Sequence, residues 1–276
     1  MRVRRLLVPL AAVALVGGLV AANPAAAKPR RAATWAPAAT ATVHPGVMTY
    51  TDGAQCTANF VYTDGTSTYL GQAAHCSSTG TATDTDGCSS KSLPEGTLVQ
   101  VDGSSKPGVM VYNSWIRMQQ SGEKDASTCA YNDLALIKLD PTDVARTNPS
   151  VPFFGGPTGV RTAATAVGDE VYSYGNSSLR LGISALSPKF GTSLGTDSGG
   201  WNHTVYTATP GIPGDSGSGF LDADGKAFGI LSTVAIAPLA GSNGVGDLAH
   251  EIAFAQAHGF SGLSLVPGTE PFSSPV

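Results

Sequence analysis

Three short segments, far apart along the chain, limit what this sequence can fold into, because their chemistry requires them to converge. The first is Ala73-Ala74-His75-Cys76, the second Asn132-Asp133 opening the apolar run Leu134 to Ile137, and the third Gly214-Asp215-Ser216-Gly217-Ser218-Gly219. Together they supply a base, a carboxylate and a hydroxyl in the order His75, Asp133, Ser216. A serine hydroxyl is a weak nucleophile at neutral pH and needs a neighbouring base to take its proton as it attacks a carbonyl. Histidine suits that role because its ordinary pKa lies near working pH, and a buried carboxylate would hold its ring in one tautomer. Gly214 has no side chain to obstruct approach, so its backbone N–H and that of Ser216 can converge on an oxyanion. One such donor lowers the barrier of comparable reactions by roughly 3 to 4 kcal/mol. Taken singly, each segment has a plainer reading: Gly-Asp-Ser-Gly is ordinary turn chemistry, and a lone His or Asp is more often a packing or turn residue. The joint occurrence, in this order, is what points to an acyl-transfer site.

That order and the residues around it resemble the chymotrypsin (trypsin-like) serine protease family, in its bacterial secreted form, over about residues 54–259. The resemblance implies an all-β fold of two six-stranded antiparallel β-barrels with a C-terminal α-helix and the site between the barrels. It also implies a Cys56–Cys76 disulfide bracketing the strand pair that leads to His75. Phe228 to Ser232 resembles the segment that runs antiparallel to bound substrate, and Leu248 to His258 resembles the closing helix. The chain departs from the family at three points. Ser218-Gly219 stands where Gly-Pro is usual, the cysteine pair that braces the substrate pocket in animal members is absent, and no Ile-Val-Gly-Gly-type start precedes Cys56. In animal zymogens that start pairs with the aspartate before the serine, so Asp215 needs another cation; Arg161 and Arg180 are the candidates. Alignment to the family places Pro210, Ser232 and Val234 in the substrate pocket. Pro210 lies where an aspartate would select Arg or Lys, and Leu231 where glutamate-specific relatives carry a histidine. The branched Val234, where many members have glycine, points to small or medium apolar residues before the cut bond.

The four cysteines lie beyond residue 27 and none is in a Cys-x-x-Cys spacing, which fits disulfides in an oxidising compartment better than a metal site. Three pairings are possible in principle. If Cys56 pairs with Cys76 as the resemblance implies, Cys88 pairs with Cys129. Met1 to Ala27 has Arg2, Arg4 and Arg5, an apolar run from Leu6 to Ala22 and a small-residue end, the three-part form of a secretory signal peptide. Residues 28–45, rich in Ala, Pro and Thr, read as a short pro-segment or flexible arm, 46–266 as the folded domain and 267–276 as a loose tail. The net charge of −4 falls to −7 without the three leader arginines. An acidic body with scattered cations has no electrostatic footprint for nucleic acid or anionic membrane.

Short apolar strands are expected at 58–62, 68–74, 97–101, 108–112, 134–139, 170–174 and 205–209, with a hairpin around Gly225 and one helix from Asp247 to His258 stopped by Gly259. His203, His250 and His258 have no metal-ligand spacing, and Asp84-Thr85-Asp86-Gly87 lacks the carboxylates of a calcium cage, so no metal or cofactor is expected. Asn176 and Asn202 lie in Asn-x-Ser/Thr sequons. The expectation is a secreted, monomeric serine endopeptidase acting on polypeptides. Two rivals are an esterase built on Ser216, Asp247 and His258, and a catalytically silent protease-like binding module.

Overall fold

A computed structural model describes residues 33–81, 85–235 and 239–274; the leader and Asp84 lie outside them. The first half of the chain supplies β1 (Met48–Thr51), β2 (Ala54–Thr57), β3 (Val61–Thr63), β4 (Thr68–Ala73), β5 (Leu98–Val101), β6 (Gly108–Asn113) and β7 (Leu134–Lys138). The second supplies β8 (Gly159–Val160), β9 (Glu170–Tyr174), β10 (Pro188–Asp197), β11 (Asn202–Thr207), β12 (Gly219–Asp222), β13 (Lys226–Ala235) and β14 (Ser242–Asp247). A last short strand, β15 (Ser264–Leu265), returns to β3.

The second set closes on itself. Its strands run β12-β9-β10-β11-β14-β13, and β13 pairs again with β12, giving a six-stranded antiparallel barrel with β8 added parallel to β13. Val171, Val205, Phe220, Phe228, Leu231 and Val245 fill it. In the first set β2 and β3 are two halves of one bent strand. β2 pairs with β1, while β3 pairs with β4, and the bonds Asn59 N–H to Gly71 O (2.9 Å) and Gly71 N–H to Phe60 O (3.0 Å) carry the ladder through the bend. The circuit β1-β5-β6-β7-β4-β3/β2 therefore returns to β1 as a second six-stranded barrel. Its interior holds Val61, Leu70, Val99, Met110 and Ile137. A further buried cluster joins residues of both halves, among them Phe60, Tyr112, Leu134, Tyr172, Leu221 and Ile230, with Leu248 from the C-terminal helix.

Among the described residues four α-helices decorate this frame: α1 (Ser114–Ser121), α2 (Ala126–Tyr131), α3 (Pro141–Val144) and α4 (Leu248–Ala257). The helix expected from Asp247 is α4, with Asp247 as its N-cap accepting from the His250 N–H. The sequence reading missed α1, α2 and α3, whose one or two turns hold too few apolar residues to mark a stripe. Their ends are nonetheless marked. Asn113 accepts from the N–H groups of Trp115 and Ile116, Gly122 closes α1 at φ 71°, and Asp125 caps α2. β1, β2, β10 and β14 were missed as well, the last two because glycine and small polar residues dilute their apolar pattern. Gly191 in β10 lies against the Tyr206 and Thr207 backbone, and Gly246 in β14 against the Tyr131 carbonyl, so a side chain at either would clash.

The described parts of two segments read as loose, residues 33–45 and 267–274, are packed. Trp35 lies against the first core, Val43 is fully buried, and the Ala36 N–H donates to Thr147 O at 2.9 Å. At the other end Phe272 packs against the inter-barrel cluster, and Gly156 N–H to Glu270 O (3.0 Å) and Ser273 N–H to Phe154 O (2.8 Å) dock the chain. Proline and alanine content suggested mobility in both, but single apolar anchors outweigh composition here.

Candidate active site

His75 lies in a single 3-10 turn, Ala74–Ser77, that leaves the end of β4. A disulfide between Cys56 and Cys76 ties that turn to β2, and Asn113 reinforces it by donating to Ala74 O (3.1 Å) and Ser77 Oγ (2.8 Å). β4 and β7 pair with Ala73 opposite Leu134, so the residues just beyond each, His75 and Asp133, emerge at the same end of the barrel. The Ala74 N–H donates to Asp133 O, and the His75 N–H to Asp133 Oδ1 at 2.9 Å. The second disulfide, Cys88–Cys129, anchors α2 immediately before Asp133.

The Asp133 carboxylate is almost wholly buried and accepts two further bonds, from His75 Nδ1 at 2.7 Å and from Ser232 Oγ at 2.6 Å. Ser232, read from the sequence as a substrate residue, thus spends its hydroxyl on the carboxylate. A register shift between Leu231 and Thr233 in the β13–β14 pairing falls at this serine. Burial alone would lower the His75 pKa, but the charge of Asp133 and its hydrogen bond outweigh burial and leave it raised. About a quarter of the imidazole side chain remains exposed, so the ring is open to a partner on its other side.

Ser216 precedes β12 in a loop held against the first barrel. The Thr57 N–H donates to Ser216 O (2.9 Å), the Gly217 N–H to Leu231 O (2.7 Å), and a side chain at Gly217 would strike the backbone of Thr57 and Ala73. Ser216 is half-buried, and its hydroxyl is not hydrogen-bonded to His75. Gly214 adopts φ 96°, and its carbonyl is held by Thr57 Oγ1 (2.8 Å) and Gln55 Nε2 (3.0 Å). Among the described residues, neither the Gly214 N–H nor the Ser216 N–H has a protein acceptor.

The cations for Asp215 are Arg180 and a residue the sequence reading overlooked, Lys189. Arg180 Nη2 lies 2.6 Å and Lys189 Nζ 2.9 Å from Asp215 Oδ2, and both reach the Pro210 carbonyl, at 2.9 and 3.3 Å. Asp215 and Lys189 are fully buried. Burial lowers the Lys189 pKa, with Arg180 adding to that and Asp215 opposing it. Arg161, the other candidate, pairs with Asp169 and Asp222 instead. Nothing around Lys189 in the sequence, Pro188-Lys189-Phe190, distinguishes it.

Pro210 and Val234 lie on two neighbouring segments. Val234 is half-exposed and pairs with Asn243 on β14. Asn243 is fully buried; its amide accepts from the Gly211 N–H (2.9 Å) and donates to Thr233 O (3.3 Å), filling the space between the segments. The alternative set of Ser216, Asp247 and His258 is not assembled. Asp247 is committed to His203 and His250, while His258 stacks on Phe254 and bonds its carbonyl. Both sequon asparagines use their side-chain amides internally, Asn176 on Gly46 O and Asn202 on Asp197.

No protein-family model matches this sequence, and no curated protein matches it either. Solved structures do. Protease A of Thermobifida fusca is 18% identical over 82% of this chain and 99% of its own, with a TM-score of 0.51. The fold is chymotrypsin-like. A glutamic acid-specific serine protease that uses a histidine triad in substrate binding is 19% identical over 81% of this chain and all of its own, at a TM-score of 0.50. A Glu endopeptidase is 15% identical over 77% and 89%, at 0.51. These structural neighbours are proteases, the glutamic acid-specific one a serine protease, and among the described residues no helix is long and apolar enough to cross a membrane.

Proposed function

We propose that this chain is a secreted serine endopeptidase that cuts polypeptides through an acyl-enzyme, with His75 as base, Asp133 as its carboxylate partner and Ser216 as nucleophile. The observation that carries the reading is the 2.7 Å bond from His75 Nδ1 to a buried carboxylate, beside a serine loop with two unspent backbone N–H groups. With Nδ1–H donating to Asp133, the neutral imidazole presents Nε2 as the proton acceptor. Ser216 Oγ attacks the scissile carbonyl as its proton passes to His75, and the oxyanion is received by the Gly214 and Ser216 N–H groups. The imidazolium then protonates the leaving amine, and water repeats the sequence to release the acid. Acid–base pairs in ligand-free sites commonly close to hydrogen-bond distance only when substrate is bound.

The substrate would add as a strand beside β13 near Ser232 to Val234, with backbone bonds giving affinity and one pocket giving selectivity. Val234 at the rim and Asn243 across the space behind it leave room for a small or medium apolar side chain before the cut bond. No acid among the described residues occupies the Pro210 position, which disfavours Arg or Lys. No cofactor or metal enters this chemistry, and a monomer suffices for it.

The test is labelling of the purified secreted protein with a fluorophosphonate probe beside Ser216→Ala, together with casein digestion and a peptide library. Label on Ser216 with cleavage after Ala, Val or Leu is expected. Cleavage after Arg, Lys or Glu would refute the specificity; ester hydrolysis without peptide cleavage would favour the esterase. A folded protein that neither labels nor cuts would be a binding module.

A further inference from the structure

The C-terminal helix α4 buries one acid that the reaction just described does not use. Glu251 is fully buried, and its Oε1 accepts the Asp133 N–H at 2.9 Å. Among the described residues its Oε2 has no hydrogen-bond partner. Leu248, Ile252 and Ala255 share that face of the helix and are buried with it. Their spacing made an apolar stripe legible in the sequence, and the acid inside it was the unread signal.

We propose that Glu251 is a positioning residue for the His75–Asp133 pair, a buried carboxyl that holds the Asp133 backbone by accepting its N–H. This inference rests on the serine-peptidase reading of the same site. Asp133 is gripped at its carbonyl by the Ala74 N–H and at its carboxylate by His75 and Ser232. Its own N–H would be a buried orphan without Glu251, and an unsatisfied buried donor lets the backbone rotate or open to water. Glu251 also reaches Asp133 from a helix that packs on β13 and β14, the second barrel, while Asp133 and His75 belong to the first. The contact therefore keeps the base and its carboxylate in register with the half of the molecule that carries Ser216 and Ser232.

The carboxyl must be uncharged to do this well. A second anion beside Asp133 would bias His75 further toward its protonated form, in which it cannot act as a base. Burial, reinforced by the negative charges of Asp133 and Asp247, raises the Glu251 pKa well above its ordinary 4.5, against the bond from Asp133 N–H that favours its anion. Tyr62 and Tyr112, both fully buried, are the other titratable groups coupled to it, and neither ionises in the ordinary range.

The experiment compares Glu251→Gln and Glu251→Leu with the wild type. The readouts are the probe-labelling rate against pH, the kcat and KM for a peptide, and the downfield Nδ1 proton of His75 by NMR in a Ser216→Ala background. Glu251→Leu is expected to lose about tenfold in kcat and labelling rate, the size of one orphaned buried donor, with KM unchanged. Its His75 resonance should broaden or vanish. Glu251→Gln, which keeps the acceptor and the neutral charge, should restore all three. A folded Leu variant with wild-type rates and resonance would overturn the proposal, as would a Gln variant that falls with Leu. If the Leu variant does not fold, hydrogen exchange of the Asp133 amide in the wild type decides, and an unprotected amide overturns it. A wild type that shows the resonance but takes no probe would sink the peptidase reading while leaving the Glu251 comparison intact.

Discussion

Asp215 carries the sharpest prediction, because its carboxylate is fully buried and meets two cations on one oxygen. Removing either cation alone leaves the anion paired. In Lys189→Met the lost attraction is partly offset, since the ammonium is itself held at a burial cost that lowers its pKa. In Arg180→Met the remaining Lys189–Asp215 pair is neutral overall and still bonded to the Pro210 carbonyl. Each single change should therefore cost only about 1 to 2 kcal/mol, the ordinary range for a point substitution. The double variant strands a buried carboxylate. Leaving one charge of a buried pair uncompensated costs about 3 to 5 kcal/mol, so the double should exceed the sum of the singles by about 1 kcal/mol, within the range of coupled neighbours.

The functional readout should be steeper than the stability readout. Asp215 Oδ2 also accepts the Ile212 N–H at 3.1 Å, closing a turn that contains Gly214 and leads directly into Ser216. When the carboxylate swings toward water, the two N–H groups cease to converge, and losing even one oxyanion donor costs about 10²- to 10³-fold in rate. Urea denaturation and fluorophosphonate labelling rates across the cycle give both quantities. Singles should label within about fivefold of the wild type on a cost of 1 kcal/mol or less at the loop, the double at least about a hundredfold more slowly. Adding Asp215→Asn to the double should recover part of the stability, because it removes the stranded charge. Additive losses, or a double variant that labels at the wild-type rate, would show that these cations do not hold the loop.

Two further outcomes follow from the titrating groups. The His75 pKa is raised above its ordinary 6.5, so activity, which needs the neutral ring, should fall as pH drops through that raised value. The stabilising effect of the His75–Asp133 pair runs the other way: it is fully present below 6.5 and is lost as pH rises through the folded value. Asp133→Asn should shift the acid limb of labelling to lower pH and remove the extra stability at acid pH; an unmoved limb would exclude Asp133 as the cause. For Glu251, whose folded pKa is raised well above 4.5, stability is lost as pH climbs from the unfolded value toward the folded one. Because Glu251→Gln has no such slope, its stability relative to wild type should grow by about 1.4 kcal/mol per pH unit over that window. Urea midpoints between pH 5 and 8 test this, and a constant difference would mean that Glu251 is already ionised when folded.

What was legible in the sequence, and what was not, divides along the difference between local pattern and close approach. Alternating or continuous apolar runs such as Leu134 to Ile137 and Glu170 to Tyr174 announced their strands, and Asp247 announced its helix, because each pattern is carried by neighbours in the chain. β10 and β14 were silent because their glycines answer to other segments: Gly191 to Tyr206 and Thr207, Gly246 to Tyr131. The same division runs through the site. His75, Asp133 and Ser216 stood out because each sits in a distinctive local motif, whereas Lys189 and Glu251 are lone ionisable residues in otherwise apolar surroundings. A buried ionisable group of this kind is costly unless something across the fold requires it. An acid at one position of a helix face whose other members are Leu248, Ile252 and Ala255 violates the pattern that defines the helix. Such a violation marks the place where burial is being spent on something other than packing. By that argument Glu251 and Lys189 belong to one design: each reaches from the surrounding fold to a residue flanking the reacting atoms, Asp133 in one case and Asp215 in the other.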